Sequence, residues 1–215
     1  MDTLLQGNTP PQKFVNPSKP TYKECLNYFE DYLRKIPFFK EAAFDDLDEY
    51  WEYLQLVKNK PICMPGDICR HIVFIVKGAV KHFTEDKNGR YIITFATDGY
   101  FCTAIPSFLH EVEAKDGLVC VKNTYGLKIS LENFKKLSAK RPEFEDLFRA
   151  IQDEEMRRLI NRLKSFQSSD AKGRYEMLMR QNSSVFNHFT MQDISNYLGI
   201  KPETLSRLRN EKTNI

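Results

Sequence analysis

Hydrophobic and polar positions change their period three times along the chain. From Tyr22 to Leu56 the apolar residues fall at helical spacing, with a break at Pro37. Leu26, Phe29 and Leu33 share one face, and Phe44, Leu47 and Trp51 share another, so the pattern predicts two packing helices. The texture then changes to short runs rich in β-branched and aromatic residues: "HIVFIV", "AVKHFT", "YIITFA", "GLVCVKN" and "YGLKIS". Turn signals separate the earlier ones at "MPGD", "KGA", "KNGR" and "TDGY". Asn88-Gly89 predicts a hairpin with a type I′ turn, which needs positive φ at both central positions. Short strands at such spacing indicate a sandwich or jelly roll.

From Pro142 to Ser168 the period is helical again. Phe144, Leu147, Phe148 and Ile151 form one apolar stripe, and Met156, Leu159, Ile160, Leu163 and Phe166 form a second. The five-residue step from Ile151 to Met156 shifts the register between them. So long a helix needs a partner along its length, either its own domain or the same helix of a second copy. "SSDAKGRYEMLMRQ" follows as another helix, with Tyr175 and Leu178 or Met179 facing inward.

The tail, "TMQDISNYLGIKPETLSRLRNEKTNI", predicts two short helices. Thr190 is placed to cap the first, Ile194 and Leu198 form its core pair, and Gly199 supplies the left-handed turn that ends it. Pro202 suits the first position of the next helix. Leu205 and Leu208 then point one way, with Glu203, Ser206, Arg207 and Asn210 roughly opposite. Two helices joined by a glycine turn match a helix-turn-helix, whose second helix lies in the major groove. Arg207 is suited to guanine, Glu203 to cytosine N4, and Lys201 and Arg209 to phosphates, with Thr204 and Ser206 on the same helix.

Charge sharpens this picture. Residues 1–155 carry 21 Lys and Arg against 24 Asp and Glu, a balance of −3. Residues 156–215 carry 11 against 5, a balance of +6. A basic tail on an acidic body fits a polyanionic partner or a solvated cationic face. Hydrophobic content of 41% with 28% charged residues belongs to a globular protein, with no apolar run long enough to cross a bilayer. The proline-rich start lacks the features of a secretory signal and predicts a loose arm. Five irregularly spaced cysteines, without a C-x-x-C pair, suggest a reducing cytoplasm and no structural metal.

The order of parts resembles the cyclic-AMP receptor protein/FNR family of bacterial transcription regulators, in a short form like those of Bacteroidetes. The resemblance covers nearly everything after residue 22. It is clearest in "MPGDICRHIVFIVKGAVKHFTEDKNGRYIITFATDGYF" and "ISNYLGIKPETLSRLR". It implies an α+β fold with a cyclic-nucleotide-binding-like jelly roll and a winged-helix-like helix-turn-helix. The implied parts are a flexible arm (1–21), a sensor (22–141), a dimerisation helix (142–168) and a DNA-binding unit (169–215). Double-stranded DNA, a second copy of the chain and a small-molecule effector of unknown identity are the implied partners.

Departures from the family pattern matter too. Of its Arg-Glu-x-x-x-Arg reading set, Glu203 and Arg207 are present, but Pro202 replaces the first Arg. The weak effector pocket implied by the resemblance comprises Cys102, Thr103, Ala104 and Lys115. Thr103-Ala104 stands where cyclic-nucleotide binders carry Gly-Glu, and Lys115 stands for the Arg that holds the phosphate, so cyclic AMP is not expected to bind. Cys25 lacks the neighbours an iron–sulfur cluster would need, and His71, His82, His110 and His188 are too scattered for a haem or cupin ligand set. No cofactor or metal is expected, and the wing after the second tail helix is expected to be reduced. No G-x-S-x-G, phosphate-cradling glycine loop or H-E-x-x-H occurs, so an enzyme is not expected. A ligand-binding or scaffolding relative that has lost DNA reading is the alternative.

Overall fold

In the computed structural model, which describes residues 19–213, strand β3 (His71–Lys77) is buried on both faces. Side chains alternate along a strand. Val73 and Ile75 therefore face the space between two sheets, while Ile72, Phe74 and Val76 pack outward toward helix α1 (Tyr22–Leu33). The first sheet has the order β1–β8–β3–β6, with β1 at Glu52–Leu56, β6 at Phe101–Cys102 and β8 at Thr124–Ser130. The second has the order β2–β7–β4–β5, with β2 at Pro61–Cys63, β4 at Ala79–Asp86, β5 at Gly89–Thr97 and β7 at Asp116–Cys120. All the neighbours pair antiparallel, giving the jelly roll of an α+β chain.

Helix α1 starts with a capping box, in which Thr21 and Glu24 satisfy each other's backbone N–H groups. Its buried face is Cys25, Tyr28, Phe29, Tyr32 and Leu33, and Leu26 lies at the margin rather than on that face. Phe29 lies 4.7 Å from Trp51 and 4.8 Å from Phe74, ring to ring. The second helix expected from Phe44, Leu47 and Trp51 does not form. Single 3₁₀ turns at Pro37–Phe39 and Leu47–Glu49 bury Phe39 and Leu47, Phe44 and Trp51 join the same core from the flanking chain, and the chain then pairs as β1 along β8. Burial at helical spacing does not require a helix when a sheet edge offers a ladder.

The hairpin expected at "KNGR" is present, but its turn is not type I′. Gly89 has φ +133° whereas Asn88 is not in the positive-φ region, and the Asn88 N–H donates to Asp86 Oδ1 at 2.7 Å. A side-chain turn has replaced the primed one.

Three helices escaped the periodicity reading: α2 (Ile105–His110), α3 (Leu131–Lys140) and α6 (Val185–His188). Helix α4 (Glu143–Ser168) has two unlike halves. Phe144, Leu147 and Phe148 are buried with Phe134 and Leu137 of α3. Beyond Ile151 the face continuing toward the chain's own domains is polar: Glu154, Arg158, Arg162 and Ser165. The second apolar stripe is rotated by about 100° around the helix. It stays exposed, with Met156 at 59% and Leu163 at 61%. Helix α5 (Ala171–Asn182) is capped by Asp170. Most of the expected arm, residues 1–18, and anything after α8 (Pro202–Thr213), including the reduced wing, lie outside the described residues.

Candidate nucleic-acid interface

Thr190 caps α7 (Met191–Leu198) by accepting the Asp193 N–H at 3.1 Å. Gly199 then adopts φ +63°, which turns the chain toward α8. Leu205 is fully buried and Leu208 nearly so, packed with Tyr175, Leu178, Ile194 and Leu198. With those two leucines inward, Lys201, Glu203, Ser206, Arg207, Arg209 and Asn210 are exposed and Thr204 is half-buried.

These polar side chains are not equivalent. Arg207 is 72% exposed, and its Nε lies 4.0 Å from Glu211, too loose a contact to engage the guanidinium. Arg209 instead donates to Met191 Sδ and lies 5.8 Å from the Phe186 ring. The structure thus brings Glu203, Ser206, Arg207 and Asn210 to one open face and turns Arg209 back onto its own unit.

The two-helix unit is seated on the outer strand of the second sheet. Asn196 accepts the Ile92 N–H at 2.8 Å and donates to the Arg90 carbonyl at 2.9 Å, imitating a neighbouring strand on the edge of β5. Lys81 of β4 pairs with Asp193 at 2.9 Å. Phe95 lies 4.2 Å from Phe189 and 5.1 Å from Tyr197. None of these long-range partners is signalled by spacing in the sequence.

Of the expected effector positions, Cys102 and Ala104 are buried, Thr103 donates its hydroxyl to the His71 carbonyl at 3.0 Å, and Lys115 is exposed. The roll interior around them is filled by Cys63, Cys69, Val73, Ile75, Val80, Leu118 and Cys120. Cys63 and Cys69 meet Cys102 and Cys120 there, and burial pushes the Cys63 thiol up to about 12 and Cys102 well above its usual range. Among the described residues no three His, Cys, Asp or Glu side chains are arranged to hold a metal ion. A cleft of about 690 Å³ lies elsewhere, between Thr97–Phe101, the middle of α4 and the α5–α6 corner. Arg158 stacks over Tyr100 inside it, 4.6 Å from the ring centre, while Glu154 is buried beneath Arg157 and Arg158. No described helix is long and apolar enough to cross a membrane.

A jelly roll, a long helix and a helix-turn-helix in this order make up the fold of the cyclic-AMP receptor protein/FNR regulators, and the solved structures bear this out. FixK2 from Bradyrhizobium japonicum superposes with a TM-score of 0.66 at 16% identity, over 76% of this chain and 85% of that one. A CooA mutant from Carboxydothermus hydrogenoformans gives 0.64 at 12% identity, over 82% and 83%. The catabolite activator protein of Thermus thermophilus gives 0.52 at 20% identity, over 83% and 87%. No family model matches the sequence, and no curated protein matches it.

Proposed function

We infer that this chain is a DNA-binding transcription regulator that acts as a homodimer, and not an enzyme. The observation that carries the reading is the face of α8. Leu205 and Leu208 anchor the helix, and Glu203, Ser206, Arg207 and Asn210 stand open beside them on the basic end of the chain. In the proposed complex Arg207 reads a guanine, Glu203 a cytosine, Thr204 and Ser206 adjoin them, and Lys201 contacts phosphate. Arg209 serves the phosphate role once it leaves Met191. Pro202 replaces one reading side chain, so the operator differs from that of regulators with Arg there.

The proposed division into arm, sensor, dimerisation helix and DNA-binding unit follows the resemblance. Support for the dimer is the exposed stripe from Met156 to Phe166, which a second α4 would cover. Two copies so joined would offer their α8 helices to half-sites about 34 Å apart. A cytoplasmic setting fits both the partner and five free cysteines. Cyclic AMP is not the effector in this reading, because the roll interior is packed and Lys115 stands outside it. A small effector would suit the interdomain cleft better, since every wall belongs to a different part of the chain. Titration calorimetry should show no heat with cyclic AMP.

Selection from random duplexes, followed by binding of wild type and Arg207→Ala, tests the reading. Wild type should enrich a two-fold symmetric site, and the substitution should cost about 1–3 kcal/mol and relax one base position. Equal, salt-sensitive binding by both proteins to every sequence would instead favour the scaffolding relative.

A further inference from the structure

A helix leaves its last four carbonyl groups without partners inside itself. In α7 these belong to Ser195, Asn196, Tyr197 and Leu198, and each is met. The Ile200 N–H reaches Ser195 O at 3.0 Å and the Gly199 N–H reaches Asn196 O at 3.1 Å. The other two are taken by arginines from different helices. Arg162 of α4 donates Nη2 to Tyr197 O, and Arg174 of α5 donates Nε to Leu198 O, both at 2.9 Å.

Each arginine has a second anchor. Arg162 donates Nη1 to Ile93 O on β5 at 3.0 Å, and Arg174 donates Nη1 to Ser169 O at 2.7 Å, where α4 gives way to α5. Both guanidinium groups lie against the Phe166 ring, 5.5 and 5.0 Å from its centre. Phe166 in turn covers the glycine of the turn: a Cβ at Gly199 would come within 2.6 Å of it.

We propose that Arg162 and Arg174, acting with Phe166, are the positioning residues that set the angle between α4 and the reading helix α8. In a dimer they thereby set the half-site spacing the protein accepts. This rests on reading α8 as the DNA-contacting helix. The guanidinium is a planar fork, so its two anchors fix direction as well as distance, which a point charge would not. Positive charge at the end of α7 is also favourable against the helix dipole. The leverage is large. A helix of 12 residues is about 18 Å long, so a tilt of about 10° at the turn moves its far end about 3 Å, close to the rise of one base pair. Phe166 also belongs to the exposed stripe of α4, so a second copy covering that stripe would bear directly on the turn.

Arg162→Lys and Arg174→Lys keep the charge and lose the fork. Full-length protein is titrated with duplexes carrying the selected half-sites at the preferred spacing and at spacings one and two base pairs longer and shorter. Wild type should discriminate by about tenfold per base pair of misfit. The variants should fall to about threefold, with affinity for random duplex unchanged. A merely structural role would weaken all duplexes together and leave the spacing preference intact, which overturns the proposal. A second measurement does not require DNA. Spin labels at Lys135→Cys and Asn210→Cys, in protein diluted with unlabelled copies, should give a narrow distance distribution that broadens in both lysine variants. Unchanged width in folded variants also overturns it. If wild type selects no sequence, the DNA-reading conclusion fails alone, and the distance widths still decide the clamp.

Discussion

Lys81 and Asp193 are joined at 2.9 Å across 112 positions of sequence, one on β4 of the jelly roll and the other in the first turn of α7. Both side chains are largely buried, at 20% and 12% exposure, so the pair is less screened than a surface bridge. Together with the Asn196 contacts to β5, it makes the seat of the helix-turn-helix on the sheet polar rather than purely apolar.

That pair should be coupled energetically. A double-mutant cycle with Lys81→Ala and Asp193→Asn, followed by urea unfolding, is expected to give about 1 kcal/mol of coupling that diminishes in high salt. Additive effects would mean that the contact contributes no more than its two separate parts.

Gly199→Ala should be among the most harmful single-methyl changes in the tail. The residue sits at φ +63°, where an L side chain costs about 1–2 kcal/mol, and the methyl would also displace Phe166. A lowered melting temperature with loss of sequence selection is the expected result. Leu198→Ala, an ordinary core truncation, should cost about 2–5 kcal/mol.

The two halves of α4 should respond differently to substitution. Leu147 is 3% exposed inside one chain, so Leu147→Ala should destabilise the fold by about 2–5 kcal/mol. Leu163→Glu, at 61% exposure, should leave the circular dichroism spectrum unchanged and shift sedimentation from dimer to monomer. A dimeric Leu163→Glu protein would remove α4 from the interface.

Stability should fall as the solution is acidified below about 6.5, the unfolded value of histidine. Burial is the chief cause that lowers the pKa of His71 and His188 in the folded chain. The unfolded chain therefore takes up these protons first, and the loss levels off once pH passes below the lowered folded values. Thermal melts from pH 8 to 5.5 should show this slope, and His71→Gln with His188→Gln should flatten it.

Much of the helix-turn-helix was legible because its signals are local. The Thr190 cap, the positive φ of Gly199, Pro202 at a helix start and the Leu205–Leu208 pair each depend on residues within one turn, and each appears where expected. The helix expected around Trp51 failed for the opposite reason: its fate was decided by β8, which follows about 70 residues later. Likewise, the positions expected to line an effector pocket could be aligned, but their surroundings could not. Cys63, Cys69, Cys102 and Cys120 converge only when strands of two sheets fold face to face.

By itself the sequence determined the order of the main parts (strand-rich roll, long helix, paired tail helices), the inward faces of α7 and α8, and the charge contrast between body and tail, because period, caps and composition act over a few residues. Only the tertiary structure decided that Arg162 and Arg174 cap α7, that Asn196 closes the edge of β5 and that the roll interior is full. Unpaired backbone groups take whichever partner the packing brings within reach, and nothing in the spacing of residues along the chain reveals which that will be.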